Sequence, residues 1–321
     1  MSFEADLLVD RKRLRRKLTW WRAAVFLVLI LAVGAVAWAF RDKVSDGQAQ
    51  IARISLSGFI SGDERTLNLI RDVGNSGSVR AVLVEISSPG GTTSGAERIY
   101  NALRELSAKK PTVAVVGGLA ASGGYIAAIG TDRIVALETS LVGSIGVLMQ
   151  YPNVEGLLNT LGVKMEEVKS SPLKAAPNGF EPTSPAARAA LESIVADSYG
   201  WFKRLVRERR KFDDARLTVV ADGRVFTGHQ ALELKLVDQL GDRRQAIAWL
   251  EQEKKIARDL PVREWKRAGS DGTFGLWSAV AMGAQGMGLT NVAAIFDRLD
   301  NQLAADRLDG LLALWHPALE K

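Results

Sequence analysis

Apolar positions in this chain gather in short, dense runs separated by stretches with a helical period. Ile51 to Ile60 alternates as a half-buried strand does, and Glu64 to Val73 reads as a helix. Val79 to Ile86 is strongly β-prone, about Gly95 to Leu106 is helical, and Thr112 to Val116 is the next strand. Arg133 to Leu137 and Ser144 to Leu148 predict short strands, Val154 to Leu161 a short helix, and Met165 to Lys169 a further strand. Ser170 to Pro185, rich in Pro, Ser and Ala, predicts irregular backbone. Pro185 to Phe212 predicts one long amphipathic helix, Ala215 to Gly241 small helices and a strand, and Asp242 to Lys255 another helix. Apolar strands alternating with helices imply an α/β fold whose parallel sheet is covered on both faces.

The pattern changes at both ends. Residues 23–40 are uncharged and apolar all round, long enough as a helix to span roughly 27 Å, close to the hydrocarbon thickness of a bilayer. Trp20, Trp21 and Trp38 lie near the two ends of that run, where an aromatic belt forms. The basic cluster from Arg11 to Lys17 keeps the preceding residues in the cytoplasm. The expected division is a basic N-terminus at 1–22, a transmembrane anchor at 23–40, a linker at 41–50, a main domain at 51–259 and a helical extension at 260–321. A cleaved leader is the rival reading, with Ala35-Val36-Ala37 as its processing site, but its apolar core would be unusually long.

Composition removes several kinds of chemistry. The chain of 321 residues has no Cys, which removes disulfides and thiol nucleophiles, and two His, which leave a Ser-His-Asp triad few candidates and a multi-His metal centre almost none. Residues 1–22 carry seven Lys/Arg against three Asp/Glu, which places about +4 of the net charge of +6 ahead of the apolar run. The remainder of the chain is nearly neutral and has no basic stripe interleaved with aromatics, so nucleic acid is not an expected partner.

One hydroxyl draws notice. Gly117-Gly118-Leu119-Ala120-Ala121-Ser122-Gly123-Gly124-Tyr125 sets Ser122 among small residues between two apolar runs, a strand–turn–helix pattern like a nucleophile elbow, with Ala120 where the first Gly would stand. Ser88-Pro89-Gly90-Gly91 follows a buried strand, and paired glycines let backbone N–H groups approach a developing oxyanion. A Ser needs a base; Lys174, in Ser171-Pro172-Leu173-Lys174-Ala175-Ala176-Pro177, has no acid nearby and could act as a neutral amine. Each feature also has a plain reading: a packed turn, a tight strand–helix connection and a solvated lysine. His229 and His316 have no acid at a recognisable spacing.

These motifs, with Gly143-Ser144-Ile145-Gly146-Val147 and Ala221-Asp222-Gly223-Arg224-Val225-Phe226-Thr227-Gly228 in this order, resemble the signal peptide peptidases of the SppA type, in their short single-domain bacterial form. The resemblance covers roughly residues 48 to 255. It implies a ClpP/crotonase-like α/β fold of repeated βαβ units behind one N-terminal transmembrane helix, and a homo-oligomeric ring around a concave chamber. Carried over, it implies Ser122 as nucleophile, Lys174 as general base, Gly91 and Gly123 as oxyanion donors, and Ser144 as the residue that orients the Lys amine. The chain departs from the pattern at Ala175 and Ala176, where many relatives place an acid after the Lys.

The expected function is that of a membrane-anchored serine endopeptidase degrading signal peptides, with no cofactor and no metal. The expected place is the bacterial inner membrane, with the catalytic domain on the periplasmic side. The alternatives are a protease that clips a membrane-protein partner, an inactive ring scaffold and a crotonase-like acyl-CoA enzyme. The last fits poorly with an extracytoplasmic domain, since acyl-CoA is cytoplasmic.

Overall fold

The computed structural model describes residues 47–266, together with residues 20, 21, 25–27 and 30 and the backbone of residues 312–314. The chain divides into two units, Met1–Ala49 and Gln50–Lys321. In the first, Trp20, Trp21, Val25, Phe26, Leu27 and Ile30 are helical and their side chains exposed. Most of the anchor expected at 23–40 lies outside the described residues, and among the described residues no helix is long and apolar enough to cross a membrane.

Among the described residues, the second unit is a mixed α/β structure on a nine-stranded sheet. Strands β1 (Gln50–Ile60), β2 (Val79–Thr92) and β3 (Thr112–Ala121) lie side by side and parallel. Beyond β3, the partner changes part-way along. β4 (Arg133–Ala136) pairs with residues 113–116, and β5 (Leu141–Gly143) pairs with residues 119–121, both parallel. β6 (Val225–Thr227) adds to β5 antiparallel, β7 (Gln239–Leu240) to β4, and β8 (Val262–Glu264) to the outer side of β1. β9 (Leu312–Leu314) runs antiparallel to β2 at Gly90 to Thr92.

Alternation along the strands builds a core on each face. Val82, Val84 and Ile86 enter the larger cluster, with residues of α1 (Glu64–Asn75), α2 (Thr93–Lys109), α3 (Gly123–Ile129) and α5 (Pro185–Arg210). The intervening α4 is Glu155–Leu161. Ala81 and Leu83 enter a smaller cluster against Ala246 and Leu250 of α8 (Arg243–Glu253). α6 (Asp214–Val220) and α7 (Gly228–Glu233) lie between α5 and that last helix in sequence. Full burial of a side chain such as Leu83 contributes about 1.5–3 kcal/mol.

Helix starts follow side-chain chemistry. Asp63 accepts from Thr66 N at 3.0 Å, Thr92 accepts from Gly95 N at 3.0 Å, and Ser184 caps α5 ahead of Pro185. Asp242 and Gln245 form a capping box on α8.

Four segments differ from the sequence reading. β2 stays extended through Pro89-Gly90-Gly91, because Phe59 and Ile60 of β1 keep pairing with Gly90 and Gly91. Residues 141–143 form the strand expected at 144–148, since Ser144 takes a φ of 51° that ends extended backbone. Residues 165–169 form no strand; Met165 and Val168 are exposed and pair with no sheet edge. The described parts of the expected helical extension at 260–321 include two short strands, Val262–Glu264 and Leu312–Leu314, the first drawn in by the open edge of β1.

Candidate active site

The end of β3 makes the turn at Ser122. Ala121 pairs with Gly143 of β5, and Ser122 N donates to Gly143 O at 2.8 Å. Ile126 N then donates to Ser122 O at 2.9 Å and starts α3. Between these bonds Ser122 is held at φ 53°, ψ −115°. Such backbone costs a non-glycine residue roughly 1–3 kcal/mol and persists only where its surroundings over-determine it. The side chain is 1% exposed, and its Oγ has no hydrogen-bond partner. A buried hydroxyl on a strained strand-to-helix turn is the geometry of a nucleophile elbow.

Short α3 cannot hold that strain by its own hydrogen bonds, and its far end is tied down from outside. Arg209 donates from Nε to Ile129 O and from Nη2 to Thr131 O, both at 2.8 Å. Arg104 Nη1 and Ser107 Oγ both donate to Gly130 O, at 3.1 and 3.2 Å. Cationic donors suit the negative end of a helix. On the helix itself, fully buried Tyr125 donates its OH to Leu236 O at 2.8 Å. Burial pushes the Tyr125 phenol well above its usual range, so it stays a neutral donor.

Gly91 lies next to the last residue of β2, and Gly123 opens α3 just past the end of neighbouring β3. A Cβ on Gly91 would stand 1.9 Å from Ile60 O, so only glycine allows β1 and β2 to close here. Ser88 pairs with Ala120 across β2 and β3, bringing the Ser88 to Gly91 segment beside the Ser122 turn. A Cβ on Gly124 would lie 2.8 Å from Ser88 O, so this turn and the start of α3 touch backbone to backbone. Ser144 follows directly on Gly143, so Ser122 and Ser144 step off one strand pair together. Ser144 N donates to Arg224 O at 2.8 Å, and the residue is 7% exposed.

Lys174 is the exception. It occupies an exposed turn in which its N–H donates to Ser171 O at 3.1 Å. The Ser122 hydroxyl has no partner, so the amine does not reach it. The apolar setting expected around the Lys is absent because its neighbours are themselves uncovered. No residue from 155 to 175 is buried, and Leu157, Leu161, Met165 and Leu173 all stand exposed. Within the same segment, Lys169 is paired with Glu167 and Glu181. His229 is exposed beside Glu233, and His316 lies outside the described residues.

Two clefts of some size open among the described residues. One of about 590 Å³ lies among Ser55, Ser87, Gly117 and Arg243, at the side chains of α8's first turn and away from Ser122. The other, about 500 Å³, is a largely apolar groove between Leu148, Met149, Tyr151 and the Leu191 and Val195 side of α5, four residues beyond Ser144.

Residues 104–257, which include the Ser122 turn and its anchors, match the model of peptidase family S49. A presumptive protease of Synechocystis sp. is 37% identical over 214 residues, 66% of this chain and 76% of that protein. The chain belongs to peptidase family S49. A second relative, a presumptive protease of Methanocaldococcus jannaschii, is 31% identical over 237 residues, covering 74% of this chain and 76% of its own length. A presumptive signal peptide peptidase SppA of Enterococcus faecium is 34% identical over 203 residues, 62% of this chain and 58% of that protein. As a member of S49 and a relative of SppA, the chain is a serine peptidase.

For this S49 peptidase, sequence reasoning missed the groups that brace the turn. Arg209 sits in the basic last turn of α5, where a sequence reader assigns it to that helix's own C-terminus. Ser88 had a readable cue, a small hydroxyl fixed ahead of Pro-Gly-Gly, but nothing in sequence shows what it bonds.

Proposed function

We propose that this peptidase is a membrane-anchored endopeptidase that degrades signal peptides, or similar small apolar peptides, through a Ser122/Lys174 acyl-enzyme mechanism. The observation that carries the reading is the buried, strained and unpartnered Ser122 hydroxyl beside the Gly91 turn. In this mechanism neutral Lys174 takes the Ser122 proton as Oγ attacks the scissile carbonyl. The N–H groups of Gly91 and Gly123 hold the tetrahedral oxyanion, each donor contributing roughly 3–4 kcal/mol. Protonated Lys174 then gives its proton to the leaving amine, and the neutral amine afterwards activates water to release the acyl group. Ser144, stepping off beside Ser122, orients the amine.

Lys174 reaches Ser122 when copies of the chain assemble into a ring. The exposed apolar side chains from Leu157 to Leu173 support this, because a surface of that kind marks an interaction site. The groove beyond Ser144 suits apolar substrate side chains. The basic cluster, the apolar run at 23–40 and the exposed helical positions at 25–27 and 30 support an anchor with residues 1–22 in the cytoplasm. That orientation puts the peptidase domain on the periplasmic side of a bacterial inner membrane. The resemblance to a protein named as a signal peptide peptidase supports the substrate class.

The test is labelling by a serine-directed fluorophosphonate, with cleavage of an apolar peptide ester measured alongside. Wild type is expected to label and cleave, and Ser122→Ala to do neither. Label retained in Ser122→Ala would sink the nucleophile assignment, and full activity in Lys174→Ala would sink the base.

A further inference from the structure

Ser88 is wholly buried and takes no part in the chemistry above. Its hydroxyl donates to Gly58 O at 2.6 Å and accepts from Gly90 N at 3.1 Å, with a longer 3.4 Å contact to Gly90 O. Gly58 stands where β1 and β2 slip register, between the pairs Ser57–Ser87 and Phe59–Gly90. One hydroxyl therefore bridges the irregularity and fixes the bend beyond it. The Ser88 carbonyl meets the start of α3 at Gly124, and its backbone pairs with Ala120 just before Ser122. The segments that carry Gly91 and Gly123 meet at this residue.

We propose that Ser88 is the positioning residue of the oxyanion hole. It locks the Ser88 to Gly91 segment against β1 and α3, so that the N–H groups of Gly91 and Gly123 converge on one oxygen. The proposal rests on the Ser122 reading above. Oxyanion donors act only when aimed where charge develops, and paired glycines have the backbone freedom to swing away. Ser88 removes that freedom while touching no substrate.

In the full-length protein, Ser88→Ala is expected to lower kcat at least tenfold with KM little changed. The variant is expected to bind a peptide boronate, a mimic of the tetrahedral state, at least tenfold more weakly. Affinity for the uncleaved peptide, measured in a Ser122→Ala background, stays the same. Equal losses for boronate and uncleaved peptide would mean a general collapse of the site and overturn the proposal, as would unchanged boronate binding. Should Ser88→Ala fail to fold, Ser88→Cys keeps the shape with a weaker donor and is expected to show a smaller loss of the same kind. Fluorophosphonate labelling of wild type but not of Ser122→Ala, run beside these, shows whether the underlying reading stands.

Discussion

Residues 120–131 are buried without a break, and residues 155–175 include no buried residue at all. The first stretch carries Ser122 and the second carries Lys174. In the first, strand pairing on one side and the Arg209, Arg104 and Ser107 bonds on the other hold the backbone from both ends. In the second, α4 rests on no core, and the chain around Lys174 is held by a local turn. The contrast teaches that a single chain suffices to build a strained, buried serine turn, the place of the proposed nucleophile. The proposed base must be delivered by a segment whose apolar side chains still lack a surface to cover them.

The sharpest way to break that comparison is at its two poles. Ser122→Ala should cut turnover by at least about 10⁴-fold, as loss of a nucleophile does, with no fall in melting temperature in a thermal scan. Lys174→Ala should cut kcat by roughly 10²- to 10⁴-fold, the range for a general base. Its unfolding midpoint should not move, because an exposed side chain rarely contributes more than about 0.5 kcal/mol. A destabilised Lys174→Ala would mean that the lysine serves the fold instead.

Smaller effects sharpen the distinction. Leu157→Asp with Leu161→Asp should leave the domain folded yet shift sedimentation toward smaller species. Activity should fall roughly tenfold at low protein concentration, the cost of about 1.4 kcal/mol at an interface. Tyr125→Phe should destabilise the domain by about 1–3 kcal/mol in denaturant titrations, since Leu236 O loses its buried donor. Ser122→Gly should stabilise by about 1 kcal/mol, because glycine adopts the turn's backbone without strain.

Legibility in the sequence followed the same divide. Runs such as Val79 to Ile86 and Thr112 to Val116 announced buried strands because β-branched apolar residues have few other homes. Ser122 and the Gly90-Gly91 pair could be read because a tight turn demands small residues in fixed places. The exact reach of β2 and β3 could not, since their last residues stay extended through pairing with Phe59, Ile60 and Leu141. Nor could the surroundings of Lys174. Its apolar neighbours suggested burial, but a residue such as Leu173 is buried only if something packs on it, and local sequence does not say what does. Arg209 was unreadable for a related reason, because its partners Ile129 and Thr131 lie some 80 positions away in the chain.

The bracing of α3 has a dynamic consequence. Gly123 to Ile129 are all buried, and the carbonyls past the end of the helix are held by side chains from two other helices. Fraying of so short a helix would break those tertiary bonds, so local opening and global opening converge on the same free energy. Backbone amides 126–129 should therefore exchange with solvent deuterium as slowly as those of central β2, while amides 158–170 exchange early. A turn braced this way is not lost by degrees. Any substitution that weakens the whole domain reduces the number of competent molecules and leaves the survivors fully active.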